Sequence, residues 1–310
     1  MRVFLAPMAG VTDLPFRLIA REYGADLVVT EMVSAQALLY ENRKTMDMLA
    51  IEQAERPVAV QLFGRDPQVM AEAARLVYEK AKPEMIDLNF GCPTPKIVKN
   101  GDGAALLKNP KLLAEIAAAV ARAVPIPVTA KIRLGWGGES INCVEVAQRV
   151  EEAGVHWLTV HARTREQFYS GTADWGWLAK VKQAVGIPVV GNGDVFSPED
   201  AERLLKETNC DHIAVARGVR GNPWLFQQIK SWLEKGTKLP DPTVEERVAL
   251  ALRHLRLKVE YAGESRAVRE MRPHLMWYLK GVPGSAQLRQ RINTAGSLAE
   301  MERILNSLVD

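Results

Sequence analysis

Cys92 lies in Ile86-Asp-Leu-Asn-Phe-Gly-Cys-Pro-Thr-Pro95, a run that begins apolar and breaks into glycine and two prolines. The pattern puts a thiol just past the end of a buried strand, on a loop stiffened by proline. Such a thiol can donate a proton, attack an electrophile or simply pack, and its position alone does not choose among these. Other hydrogen-bonding residues stand at similar breaks. Pro7-Met8-Ala9, Glu31, Gln61, Asn89, Lys131 with Arg133, His161 with Arg163, Asn192-Gly193-Asp194 and Ala216-Arg217-Gly218 each come at or near the end of an apolar run. One such residue is an ordinary cap, but a full set describes the lined mouth of a barrel.

Eight short apolar runs supply those ends, at 3–7, 26–31, 58–63, 85–90, 128–133, 157–161, 188–191 and 213–216. Segments of helical length alternate with them, among them 67–80, 110–123, 142–153, 175–185 and 198–207. Val-rich runs such as Leu27-Val28-Val29 are apolar on both faces, which suits a parallel sheet covered by helices. The alternation predicts an α/β fold, a (β/α)8 TIM barrel followed by a small C-terminal helical domain. An open doubly wound sheet is the alternative. It is disfavoured because the runs number eight and no GxGxxG follows the first.

Gly191-Asn-Gly-Asp194 and Ala216-Arg-Gly218 each precede a helix start, at Ser197-Pro198 and Gly221-Asn-Pro223. Loops in the seventh and eighth positions of a barrel commonly bind phosphate through backbone N–H groups, and Arg217 could add a bidentate contact. The ordinary reading is two glycine turns. Asn100-Gly-Asp-Gly-Ala-Ala105 reads either as a flexible segment that could close over a substrate or as a plain connection.

Composition is that of a soluble globular chain, 47% hydrophobic and 25% charged over 310 residues. Three cysteines, Cys92, Cys143 and Cys210, without CxxC spacing argue against a disulfide framework or a zinc site and fit a reducing cytoplasm. No secretory signal or membrane span is evident, and no metal is expected. A Gly/Pro-rich break near 236–242 predicts a boundary, with a barrel over 1–240 and a helical domain over 241–310. Between 251 and 291 nine Lys/Arg stand against three Glu, interleaved with Trp277, Tyr278 and His274. That excess is either a solvated surface or a phosphate-backbone platform with stacking groups.

The chain resembles the tRNA-dihydrouridine synthase family, close to its bacterial B-type members. The resemblance is carried by Leu5-Ala-Pro-Met-Ala-Gly-Val-Thr-Asp13, Asp87-Leu-Asn-Phe-Gly-Cys-Pro93, Asn100-Gly-Asp-Gly-Ala-Ala-Leu106, Ala130-Lys-Ile-Arg-Leu-Gly135, His161-Ala-Arg-Thr-Arg-Glu-Gln167, Gly191-Asn-Gly-Asp194 and Arg217-Gly218. Arg272-Pro-His-Leu-Met-Trp-Tyr-Leu-Lys280 resembles the family's helical domain. Members usually carry more residues before the first strand, a difference expected to bear on stability more than on chemistry.

The resemblance implies an FMN enzyme that reduces uridines in tRNA to dihydrouridine, with NADPH as electron donor. It implies flavin contacts from Pro7, Met8 and Ala9, and hydrogen bonds to the ring from Gln61 and Lys131. Asn192, Gly193, Asp194, Ala216 and Arg217 would hold the phosphate. His161 would line the flavin pocket, Asn89 and Arg133 would face the substrate, and Cys92 would be the proton donor. Reduction of uracil requires an acid at C5, and a thiol is a suitable one. A cation near the flavin suits Lys131. A monomer is the default expectation. The competing readings are a dihydroorotate-type FMN dehydrogenase, a flavin-free barrel using Lys131 as a Schiff base, and a tRNA-binding protein without catalysis.

Overall fold

The computed structural model describes residues 1–309. Nine strands follow in order: β1 (Val3–Leu5), β2 (Leu27–Val29), β3 (Val33–Ser34), β4 (Val58–Phe63), β5 (Met85–Phe90), β6 (Val128–Arg133), β7 (Leu158–His161), β8 (Val189–Asn192) and β9 (His212–Val215). Every pairing between them is parallel. β1 pairs with both β2 and β9, and β2 pairs with β4 through Val28 opposite Val58, so the sheet closes. The result is a closed ring of eight parallel strands, and the open-sheet alternative is excluded. β3 is a two-residue addition that pairs Val33 with Leu62 at the end of β4. Its short apolar signal was not among the expected runs.

The closed geometry follows from the residue types. Val58, Val60 and Leu62 point to one side of β4 while Ala59 and Gln61 point to the other, and all five are buried. The outward set packs on the surrounding helices. The narrow interior is filled by Phe4, Ala6, Leu27, Val29, Ala59, Val190 and Ala214. Helices start where the sequence signals them: Asp66 and Ser197 accept backbone N–H bonds at the heads of Pro67–Ala81 and Pro198–Thr208, each with proline in the first turn. Beneath the barrel wall, Arg17 and Glu55 form a buried pair, with Arg17 Nε–Glu55 Oε2 at 2.5 Å.

Beyond the Gly/Pro-rich break, helices Val244–Ala262, Glu264–Tyr278, Ser285–Thr294 and Leu298–Asn306 enclose a core of their own. The first begins with the expected capping box between Thr243 and Glu246. This core also takes in Ile19, from the barrel helix Leu14–Glu22. Three further ties join the helical unit to the barrel. Lys258 pairs with Asp13, Arg253 pairs with Glu22, and His274 Nε2 lies 3.3 Å from the Gly10 carbonyl oxygen.

Candidate active site

The C-terminal ends of the strands open into one cleft. It gathers Pro7, Met8, Ala9, Gln61, Asn89, Cys92, Lys131, Arg133, His161, Asn192, Gly193, Asp194, Ala216 and Arg217, which are all the residues singled out from the sequence as site residues. Glu31 and Arg163, two other strand-end groups, are not among its lining residues. Glu31 turns away and accepts the Gly10 N–H at 2.5 Å. Arg163 lies behind the wall, 1% exposed.

Around the thiol the sequence acts locally. β5 ends at Phe90, and Asn89 Oδ1 then accepts the N–H groups of Gly91 and Cys92 at 3.1 and 2.9 Å. That side-chain turn closes the loop on its own strand. Cys92 is partly exposed, and its Sγ lies 3.4 Å from the Thr94 hydroxyl. The Asn100–Ala105 segment is not a free flap. Ala104 N–H donates to the Cys92 carbonyl at 3.0 Å, and a Cβ at Gly103 would stand 2.9 Å from that same oxygen. Gly103 is glycine because the thiol loop rests on it, and its φ of +59° also favours glycine.

Lys131 makes no ion pair and no hydrogen bond with the described residues. Burial, with Arg133 adding to it, pushes its pKa from 10.5 down to about 8. Burial and the neighbouring cations Arg133, Lys131, Arg163 and Arg217 hold His161 well below its ordinary value. The imidazole is therefore neutral at pH 7, and none of the described residues hydrogen-bonds its side chain. Arg133 lines the cleft, but its Nε donates to Gly91 O at 3.0 Å and its Nη1 to Thr164 O and Phe168 O at 2.8 Å each. It braces two loops, so less of it faces a substrate than its position suggested.

At the other end of the cleft, Asp194 adopts φ +54° after Gly193 at +132°. Arg163 grips its carboxylate with two bonds of 2.7 and 2.9 Å, Arg217 Nη2 adds one at 2.8 Å, and Ala173 N–H another at 2.8 Å. The carboxylate is spent on holding Arg217. Any anion here would meet Arg217 and backbone N–H groups rather than a free carboxylate. Asn192 is likewise committed, donating to Ala214 O at 2.7 Å across the strands. A Cβ on Gly218 would stand 2.2 Å from Val195 O. Gly218 therefore lets the loops after β8 and β9 touch, whatever they bind.

The sequence reading missed several groups. Tyr169, Phe168, Phe196 and Arg220 complete the rim, with the Arg217 guanidinium 4.9 Å from the Tyr169 ring centre. They lie in loops, where no periodicity marks them. Asp87 and Thr129, beneath the floor, were also passed over. Their carboxylate and hydroxyl meet at 2.6 Å.

The dihydrouridine synthase family model matches residues 4–309. The chain belongs to the dihydrouridine synthase family. It is 42% identical over 292 residues to "tRNA-dihydrouridine synthase B" of Pseudomonas aeruginosa, covering 94% of this chain and 88% of that protein. It is 43% identical over 292 residues to "Probable tRNA-dihydrouridine synthase" of Rickettsia bellii, covering 94% and 89%. As a dihydrouridine synthase family member, the chain is an oxidoreductase, and the thiol, lysine and arginines of the cleft fall within the matched span. Among solved structures, a histamine dehydrogenase from Rhizobium superposes with a TM-score of 0.57 at 16% identity, over 74% of this chain and 45% of that one. That likeness is one of fold alone, and the chain spans less than half of the matched protein.

Proposed function

We propose that this chain reduces specific uridines in tRNA to 5,6-dihydrouridine, with FMN held in the cleft and NADPH as electron donor. The observation that carries the reading is the content of the cleft: a partly exposed thiol on a proline-stiffened loop, together with a half-buried lysine that forms no ion pair among the described residues. The residues fit a flavin mononucleotide. Lys131 is an unpaired ammonium suited to the electron-rich edge of the ring, and Arg217 with the Gly193–Asp194 backbone suits the phosphate. Pro7, Met8, Ala9, Gln61 and Ala216 supply the remaining wall.

FMN, held by Lys131, Arg217 and the Gly193–Asp194 backbone, would supply hydride chemistry toward C6 of the uracil ring. The Cys92 thiol gives its proton to C5, and general acid help of this kind is worth about 10²–10⁴-fold. Thr94 holds the thiol hydrogen until then and, being exposed, links it to solvent. Neutral His161 can hydrogen-bond a ligand without adding charge. Asn89 and Arg133 keep the Cys92 loop in place, and Asn89 also faces the substrate space.

Residues 241–310 are assigned to tRNA binding, with the barrel over 1–240 as the catalytic part. Of the nine basic residues counted in the sequence, Arg253, Arg256, Lys258 and Arg266 are neutralised by ion pairs. Arg272 is half-buried and donates to Ala295 O at 3.0 Å, so the electrostatic case rests on Arg269, Lys280, Arg289 and Arg291, which are exposed and form no ion pair among the described residues. A flipped-out base costs a few kcal/mol of lost stacking, which backbone contacts of this kind offset. No helix among the described residues is long and apolar enough to cross a membrane, and a monomer working in the cytoplasm fits the reading.

The test is mass spectrometry of tRNA from a strain lacking its own dihydrouridine synthases, with and without this protein. A gain of two mass units in one mapped fragment, about 2 Da per uridine reduced, is the expected result. No gain from folded, flavin-loaded protein overturns the tRNA reading in favour of a small-molecule FMN reductase.

A further inference from the structure

A single line of hydrogen bonds crosses the barrel floor from β6 to the thiol loop. Thr129 Oγ1 donates to Asp87 Oδ1 at 2.6 Å, and Gln61 Nε2 donates to Asp87 Oδ2 at 2.7 Å. Asn89 Nδ2 donates to Gln61 Oε1 at 2.8 Å, and Asn89 Oδ1 accepts from Cys92 N at 2.9 Å and Gly91 N at 3.1 Å. Asp87, Gln61, Asn89 and Thr129 are all buried, between 1% and 9% exposed.

The direction of this line is not free. An amide side chain can sit either way round, and only its partners decide which. At the buried end stands Asp87; burial raises its pKa while the bonds from Thr129 and Gln61 and the charge of Lys131 oppose that, and in its ionised form the oxygen facing Gln61 only accepts. That forces the NH₂ of Gln61 toward Asp87 and its oxygen toward Asn89. The NH₂ of Asn89 must then face Gln61, which leaves its oxygen for the two loop N–H groups. A reversed Asn89 would point its own N–H bonds at those donors and release the loop.

We propose that Asp87 is a positioning residue for the reaction: acting through Gln61 and Asn89, it sets the orientation that holds the Cys92 loop. The same orientation leaves the second Gln61 N–H to face the cleft as a donor. The role of the loop in turnover rests on the proposed uridine reduction, whereas the loop geometry itself does not.

Asp87→Leu removes the acceptor while keeping similar volume. Asp87→Asn can retain the direction, with its oxygen toward Gln61 and its NH₂ toward the Thr129 hydroxyl. Two measurements are compared in the flavin-loaded protein: alkylation of Cys92 by iodoacetamide, read by peptide mass spectrometry, and dihydrouridine formation at saturating and limiting tRNA. In Asp87→Leu the alkylation rate is expected to change by about five-fold or more, the worth of one lost hydrogen bond. Its kcat is expected to fall by about 10–100-fold through misplacement of the thiol, with KM for tRNA unchanged. Asp87→Asn should restore both toward wild type. If Asp87→Leu fails to fold, Gln61→Met breaks the line one link nearer, and its alkylation rate must change likewise in flavin-free protein. Wild-type alkylation in folded Asp87→Leu or Gln61→Met overturns the proposal, as does an Asp87→Asn protein no better than Asp87→Leu. If the wild-type protein forms no dihydrouridine, the functional reading fails, and alkylation still decides whether Asp87 sets the loop.

Discussion

The Arg220 guanidinium lies over the Trp277 ring, 4.9 Å from its centre, and ties the helical unit to the rim of the cleft. One residue on, Gly221 (φ +65°) sits so close to Trp277 that a Cβ would stand 2.3 Å from its carbonyl carbon. The helical unit is thus seated against the active-site rim by backbone contact.

Gly221→Ala should therefore unseat the joint. It forces both an overpacked contact and a left-handed alanine, together about 2–4 kcal/mol. Gly236→Ala is the control, because its φ is +63° and nothing lies within 4 Å. It should cost only the conformational term, about 1 kcal/mol. Denaturant unfolding of the two variants checks this, and equal losses would refute the close-contact account.

Cys92→Ala should keep flavin and tRNA binding and lose about 10²–10⁴-fold in uridine reduction. Single-turnover oxidation of the reduced flavin by tRNA measures it. Wild-type rates would remove the acid role.

Lys131 makes a pH-dependent prediction. Its folded pKa of about 8 lies below the ordinary 10.5, so the folded chain binds this proton less well than the unfolded chain. The charge therefore destabilises the flavin-free protein below about pH 8, and stability through this group rises as pH climbs from 8 towards 10.5. Lys131→Met should stabilise the flavin-free protein at pH 7 by about 1–2 kcal/mol after allowance for partial exposure, and the gain should shrink steadily as pH rises from 8 to 10 on its way to vanishing above 10.5. The same variant should bind FMN about ten-fold more weakly or reduce it more slowly. Thermal scans from pH 6 to 10 and flavin titration check both halves.

In the helical unit, Arg269→Ala and Arg289→Ala should each lower the salt slope of tRNA binding by about one. The paired change Arg256→Gln with Glu302→Gln removes an ion pair and no net charge, and should leave the slope unchanged. Filter binding over a salt series distinguishes them. Equal slopes in all three would place the RNA elsewhere.

The eight-stranded barrel was legible because the apolar runs, β-branched on both faces, and the intervening helical periods are local patterns. The same is true of the thiol loop. Gly91, Pro93 and Pro95 end β5 by their own conformational limits, so Cys92 had to stand at a strand end. Closure then carries the ends of eight strands to one mouth, which is why Lys131, Asn192 and Arg217 could be placed in the site from sequence order alone.

What tertiary structure alone decided is how the polar groups are spent. Gln61 and Asp87 are 26 residues apart, Arg163 and Asp194 are 31 apart, and Arg253 and Glu22 are 231 apart. A hydrogen bond or ion pair between such residues depends on the register of the closed sheet and on the seating of the helical unit, and no local pattern encodes it. Hence Asp194, read as a phosphate ligand, holds arginines with its carboxylate, and four of the nine basic residues taken as free charge are already neutralised. The sequence alone determined which residue types reach the cleft, because chain order and secondary-structure period place them there. Only the packed fold decided which of them still have a donor, an acceptor or a charge to offer a ligand, because burial makes each polar group bond to whatever neighbour the fold provides.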